Sequence, residues 1–97
     1  MSNKKRFISV WDAIEDTPEQ AENMKLRSIL MRAIERRVVE LKLTQEEAAK
    51  LLGVTQPRIS DLMRGKIHLF ALDVLVNMAT AAGMHVDMQI KKMDKAA

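Results

Sequence analysis

Residues 44–65 read TQEEAAKLLGVTQPRISDLMRG, and this stretch decides the fold of the chain. Thr44 is a favourable N-cap, and Glu47 three residues later completes a capping box, so a helix is predicted to begin at Gln45. Gly53 stands where a helix can end in a left-handed residue, a conformation that costs glycine least. The stretch therefore predicts a short helix that ends in a tight turn at Gly53.

A second helix is predicted directly after this turn. Thr55 can cap it, Pro57 falls in the first turn where a missing N–H is harmless, and Gly65 ends it. Helical spacing turns Ile59, Leu62 and Met63 inward and leaves Gln56, Arg58, Ser60, Asp61 and Arg64 outward or flanking. Two short helices joined in this way have the spacing of a helix-turn-helix, whose second helix presents its first side chains to base edges of duplex DNA.

These residues resemble the lambda-repressor/Cro-like group known as the XRE family. The matching positions are Leu43-Thr44-Gln45, Ala48, Leu52-Gly53-Val54-Thr55-Gln56, Ile59-Ser60, Leu62 and Gly65. The wider chain, from Val10-Trp11 to the tail GMHVDMQIK, resembles the HigA-like subgroup, whose members are antitoxins or regulators beside RelE-type toxins. The resemblance implies a lambda-repressor-like domain of four to five helices, with operator DNA and a RelE/HigB-like toxin as partners.

The start of the second helix holds the predicted base-reading residues. Gln56 resembles the family position that reads adenine, where the amide donates to N7 and accepts from N6. Arg58 has two readings that the sequence leaves open: a bidentate contact to guanine, or neutralisation of a phosphate. Asp61 can accept from a cytosine amine, hold Arg58, or repel the wrong backbone, and Pro57 offers only an apolar touch to a thymine methyl.

A second set of residues is predicted to contact DNA phosphates, which set the register of a protein on the duplex without reading sequence. The set is Thr44, Gln45, Thr55, Ser60, Arg64 and Lys66. The resemblance favours Gln45, because it places this amide at the start of the first motif helix, where the helix N-terminus faces the same phosphate.

Composition fits a small regulator. The chain has 97 residues and a net charge of +3, and we expect it to form one domain with a small hydrophobic core. We expect a homodimer, because a core shared by two copies buries more apolar surface. The absence of cysteine excludes disulfides and zinc fingers, and no apolar run reaches the roughly 20 residues that span a bilayer. We therefore expect a cytoplasmic protein without membrane attachment.

Catalysis finds no support in the sequence. His68 and His85 have no acidic or histidine partner at metal-ligand spacing, and neither lies beside a serine or cysteine nucleophile. The three glycines are isolated terminators rather than a phosphate loop. We expect no catalytic residue, no metal and no cofactor.

The N-terminal region, residues 1–17, is predicted to be a mobile segment with at most an edge strand. Its apolar cluster comprises Phe7, Val10, Trp11 and Ile14. The cluster either clasps the domain's own core or anchors a partner, since tryptophan is enriched at interface hot spots. With the acidic residues around it, it is a hypothetical contact for a basic toxin.

The remaining chain divides into three parts. Thr17-Pro18 is a helix start, and apolar positions at helical spacing extend to about Lys42, as one long helix or two with a bend near Met24. The helical domain spans residues 18–83, with the helix-turn-helix at 44–65. Residues 92–97 form a polar tail.

A change of period marks the C-terminal region. Met84, Val86, Met88 and Ile90 alternate with polar residues. Residues 84–91 are therefore predicted to be a short dimerisation strand, paired across a two-fold axis or with the segment RFISV. The fold class is mainly α, with an N-terminal helical extension and this one strand.

Two functions of different classes are consistent with these features. The first is a repressor, as the antitoxin of a toxin-antitoxin pair, that binds an inverted-repeat operator and a small basic toxin. The second is a protein-interaction module that keeps the helix-turn-helix as a scaffold and sequesters a partner. Exposed Gln56 and Arg58 favour the first, whereas a net charge of only +1 over residues 44–66 leaves room for the second.

Overall fold

The computed structural model describes residues 17–93 and is mainly helical, as predicted. Its elements are α1 (Pro18–Glu40), α2 (Gln45–Leu52), α3 (Gln56–Met63), a 3-10 turn (Ile67–Leu69) and α4 (Leu72–Ala81). Within residues 17–93, the four α-helices and one 3-10 turn agree with the mainly helical fold that the sequence predicts.

Helix α1 is one continuous helix of 23 residues, without a break at Met24. The Thr17 side chain caps it by accepting from the backbone N–H of Gln20 at 3.1 Å, and Pro18 occupies the first turn. This start is the one that the sequence predicts. The buried positions Met31, Ile34 and Val38 recur at helical spacing and form the face that packs on the rest of the domain.

The core lies between α1, the α2–α3 pair and α4. Ile34, Ile59, Leu62, Phe70 and Leu75 are fully buried; they come from α1, α3, the residue after the 3-10 turn and α4. Helix α2 instead contributes the small residues Ala48 and Ala49 together with Leu52. Small side chains let α2 and α3 pack closely against each other. Helix α1 contacts α3, and α4 contacts α2.

The predicted C-terminal strand is absent from the described residues, and this expectation was wrong. Residues 84–93 follow α4 without regular structure. A strand needs a ladder of hydrogen bonds to a neighbour, and no other segment of residues 17–93 runs beside this one as a strand. The alternation nevertheless reflects packing: Met84 and Val86 are half-buried against the core, whereas His85 and Asp87 are exposed.

The same segment leaves the domain beyond Val86. Met88 is 77% exposed and Ile90 is 84% exposed, so these two predicted dimer residues make little contact with the rest of residues 17–93. At the base of the segment, Arg37 Nε donates to the carbonyl of Ala82 at 3.0 Å and ties the end of α4 to α1.

Two expectations fall outside the described residues. The apolar cluster of Phe7, Val10, Trp11 and Ile14 belongs to residues 1–16, and the last part of the predicted polar tail belongs to residues 94–97. The proposed partner contact of the cluster and its alternative role in the core both stay predictions.

Candidate nucleic-acid interface

The first helix of the motif is fixed at both ends by the residues that the sequence singles out. Thr44 Oγ1 accepts from the backbone N–H of Glu47 at 3.1 Å, and Glu47 Oε1 accepts from the backbone N–H of Thr44 at 2.8 Å. Gly53 ends α2 with φ 72° and ψ 32°, in the left-handed region. The predicted capping box and glycine turn are both confirmed.

The second helix, α3, begins at Gln56, three residues after Gly53. The Thr55 side chain accepts from the backbone N–H of Arg58 at 3.4 Å, and Pro57 lies in the first turn. Ile59 and Leu62 are fully buried, so they fix which face of α3 turns toward the core. The opposite side of the helix start is left for solvent or DNA.

Two of the predicted base-reading residues lie on that open side. Gln56 is the first residue of α3 and Pro57 the second, and both are exposed. The Gln56 amide carries a donor and an acceptor, as bidentate contact with adenine requires. Because the backbone of α3 is capped and packed, the Gln56 side chain projects from a rigid support.

Of the two positions that the sequence predicts for Arg58, outward or flanking, the structure shows the flanking one. It is half-buried, and its guanidinium carbon is 4.2 Å from the centroid of the buried Phe70 ring. Its Nη1 donates to the carbonyl of Leu69 at 3.1 Å. The side chain therefore turns toward its own domain, and its predicted contact to a guanine or a phosphate stays a prediction.

Asp61 also has a partner within the chain. Its Oδ1 is 3.6 Å from Lys66 Nζ, and the side chains of Asp61 and Lys66 are 27% and 42% exposed. Of the three roles that the sequence leaves open for Asp61, holding Arg58 is not the one seen. A partly exposed ion pair of this kind contributes little to stability, so a phosphate can replace Asp61 as the partner of Lys66 at small cost.

Two of the predicted phosphate-binding residues, Thr44 and Thr55, serve as helix N-caps. The Thr44 and Thr55 hydroxyls accept cap hydrogen bonds, but each keeps its own O–H proton and can donate it to a phosphate. Gln45 and Arg64 are exposed, and Ser60 is half-buried. Capping and phosphate contact are thus compatible at both threonines.

The charge of this surface is modest. Residues 44–66 carry Lys50, Arg58, Arg64 and Lys66 against Glu46, Glu47 and Asp61, which is a net charge of +1. Arg58 and Lys66 are further occupied by contacts within the domain. Since non-specific DNA affinity grows with the number of phosphates neutralised, a net charge of +1 provides little non-specific attraction to DNA.

Sequence reasoning missed the turn that follows α3. Residues 67–69 form a 3-10 turn in which His68 and Leu69 are exposed, and the Arg58 hydrogen bond brings this turn beside the start of α3. A three-residue turn has no periodicity, and Arg58 and Leu69 are eleven positions apart in the sequence. No local sequence pattern therefore predicts their hydrogen bond.

Within residues 17–93, no group of three or more histidine, cysteine or acidic residues is placed to hold a metal ion. No helix of the described part is long and apolar enough to cross a membrane.

Comparisons with known proteins agree with this geometry. A solved structure named "Putative XRE Family Transcriptional Regulator" superposes with a TM-score of 0.71 at 27% sequence identity, over 79% of this chain and 86% of that chain. No curated protein is significantly similar in sequence. The model of the helix-turn-helix domain family matches residues 13–91, and the chain therefore belongs to that family.

Proposed function

We propose that this protein is a transcriptional repressor that binds double-stranded DNA in a sequence-specific manner, as a two-fold homodimer on an inverted-repeat operator. The observation that carries the proposal is the exposed start of α3, where Gln56 and Pro57 project from a helix that Thr55 caps and the core supports. A rigid helix start with an outward amide is what base reading in the major groove requires.

Selection of bound fragments from random duplex DNA tests this proposal. A dimer that presents two equivalent α3 helices should recover an inverted repeat with half-site centres about one helical turn, roughly 34 Å, apart. Recovery of fragments without palindromic preference contradicts the proposed mode of binding. Recovery of no enriched sequence at all contradicts sequence-specific recognition itself.

The homodimer is supported by apolar surface that is exposed among residues 17–93. Ile29 on α1 is 57% exposed, and it lines a groove of about 180 Å³ together with Leu30, Ala33, Met84 and Val86. Met88 and Ile90 continue from this groove along the chain and are exposed over most of their surface. A second copy that covers these side chains gains the burial that a small domain lacks.

Ile90→Asp tests the dimer without disturbing the fold. Because Ile90 is 84% exposed in the single chain, the substitution should leave the stability of the monomer unchanged while it weakens the dimer. Sedimentation measures the association, with the exposed neighbour Gln89→Asp as a control of equal added charge. If both variants remain dimeric, Ile90 lies outside the interface, and exposed Leu26 and Ile29 of α1 are the next residues to substitute.

We further propose that the repressor is the antitoxin of a type II toxin-antitoxin pair, autoregulates its operon and binds a RelE/HigB-like toxin. The support is the resemblance to the HigA-like subgroup and the acidic-apolar character of residues 1–24, which complements a basic partner. Gel filtration of the full chain with a purified toxin of this type should show a complex, and deletion of residues 1–16 should abolish it. Loss of operator binding on the same deletion shows instead that these residues are structural.

A second candidate function rests on the contacts of Arg58. With this guanidinium occupied within the domain and a local net charge of +1, the helix-turn-helix can serve mainly as the scaffold of a module that sequesters a protein partner. Such a module binds selected and scrambled duplexes equally weakly, whereas a repressor prefers the selected one.

A further inference from the structure

We propose that Arg58 is a positioning residue that locks the base-reading helix to the turn after it, so that α3 and residues 66–69 meet DNA as one rigid unit. The inference rests on the proposed DNA-binding function and assigns to Arg58 a role other than contact with a base or a phosphate. It follows from where the guanidinium lies and from what the turn carries.

The guanidinium contacts two consecutive residues, Leu69 at the end of the 3-10 turn and Phe70 directly after it. Its Nη1 donates to the carbonyl of Leu69, and its plane lies over the ring of Phe70, which is fully buried. Because Phe70 is held in the core, Arg58, the third residue of α3, is tied to the core by its contact with this ring. Movement of the turn relative to α3 would break the hydrogen bond and separate the cation from the ring.

Apart from Ile67, which packs partly buried against the core, and the Lys66 N–H, which donates to the carbonyl of Asp61 at 3.1 Å, the turn has few supports. Its N-cap, Lys66, provides no side-chain cap, and no residue of the turn itself is buried. Two backbone hydrogen bonds close it, from Leu69 N to Lys66 O at 3.1 Å and from Phe70 N to Ile67 O at 3.2 Å. A three-residue 3-10 turn with exposed His68 and Leu69 is a poor support for phosphate contacts unless a side chain anchors it.

Arginine suits this role for chemical reasons. A planar guanidinium can stack on an aromatic ring and donate in its own plane to a carbonyl at the same time, which the ammonium of lysine cannot do. Because neighbouring groups already hold this side chain, little of its conformational freedom remains to be lost when DNA binds. We expect Arg58 to raise the affinity for DNA indirectly, by keeping Lys66 and Gln56 aligned on the same duplex.

Amide hydrogen exchange in the protein without DNA tests the lock directly. In Arg58→Met, the amides of Leu69 and Phe70 should exchange several-fold faster than in the wild type, while those of α2 are unchanged. Arg58→Lys keeps the charge and should not restore the protection. Unchanged exchange in both variants overturns the proposal, whatever the DNA measurements show.

Titration with the selected operator and a scrambled duplex at several salt concentrations tests the consequence for recognition. Arg58→Met should lower operator affinity about five- to tenfold, leave scrambled binding within about twofold, and keep the dependence on salt. Arg64→Met, an exposed arginine one residue after α3, is the matched control; it should weaken both duplexes and reduce the salt slope. If Arg58→Met behaves like this control, Arg58 is a phosphate contact and the proposal fails.

A double substitution separates positioning from base reading. Phe70→Leu removes the ring under Arg58. Arg58→Met, Phe70→Leu and the double variant should therefore lose operator preference to the same extent, so that the two single effects do not add. If Arg58→Met relaxes the choice of one base pair while Phe70→Leu does not, Arg58 reads that base and the proposal is overturned. If the wild type itself shows no preferred duplex, the proposed function fails, whereas the exchange experiment still decides whether Arg58 holds the turn.

Discussion

Gly53→Ala probes the turn on which the whole interface depends. Gly53 has φ 72°, and a Cβ built on it meets no atom within 4 Å, so the substitution adds backbone strain without a clash. A left-handed L-residue costs about 1–2 kcal/mol, and the reduced freedom of the unfolded chain returns part of this. We expect a net loss of about 1 kcal/mol in the free energy of unfolding, which lowers the Tm of a domain of this size by about 4–8 °C.

Urea unfolding followed by circular dichroism measures this loss, and Gly53→Asn is the matched control. Asparagine adopts the left-handed conformation more readily than alanine, so it should recover part of the stability. A loss above about 3 kcal/mol for Gly53→Ala shows a steric conflict that the structure lacks. Unchanged or increased stability shows that Gly53 does not adopt the left-handed conformation in solution, and the geometry of the turn is then wrong.

Three further predictions concern a cap, a half-buried carboxyl and a phosphate contact. Thr44→Ala removes the N-cap of α2 and should lower the free energy of unfolding by about 1 kcal/mol in the same urea assay, whereas an unchanged midpoint contradicts the capping box. Burial raises the pKa of Glu35 above its ordinary value of 4.5, and nearby Arg32 opposes this only in part. Because the folded state then holds this proton more tightly than the unfolded state, the free energy of unfolding falls as pH rises above 4.5. Glu35→Gln should therefore match the wild type in thermal melts around pH 4 and exceed it around pH 7; equal melting at both values shows that burial does not perturb Glu35. Lys66→Gln should weaken selected and scrambled duplexes alike and reduce the salt slope by about 1 for each protomer, and a loss confined to the selected duplex assigns Lys66 to base reading.

Local chemistry made the helix-turn-helix predictable. Thr44 with Glu47, Gly53, and Thr55 with Pro57 act within a few residues of their own position, so sequence spacing alone defines their hydrogen bonds and backbone angles. Burial of Ile59 and Leu62 follows in the same way from helical periodicity.

Contacts between distant residues were not predictable by these means. The position of Arg58 depends on Phe70, twelve residues later, and that of Asp61 on Lys66 beyond the end of α3. The prediction of a C-terminal strand was wrong for a related reason. Alternating residues from Met84 onward show which side chains face the core, but a strand also needs a partner, which periodicity does not supply.

The affinity of Gln56→Ala for the selected operator and for a scrambled duplex, at one salt concentration, tests most directly whether the start of α3 reads DNA sequence. Gln45→Ala is the matched control, since Gln45 is an exposed glutamine at the start of the other motif helix. The account predicts that Gln56→Ala costs about 1–3 kcal/mol on the operator, leaves scrambled binding unchanged and relaxes one base pair, while Gln45→Ala weakens both duplexes. Equal losses on both duplexes for Gln56→Ala, or no loss on either, would contradict it.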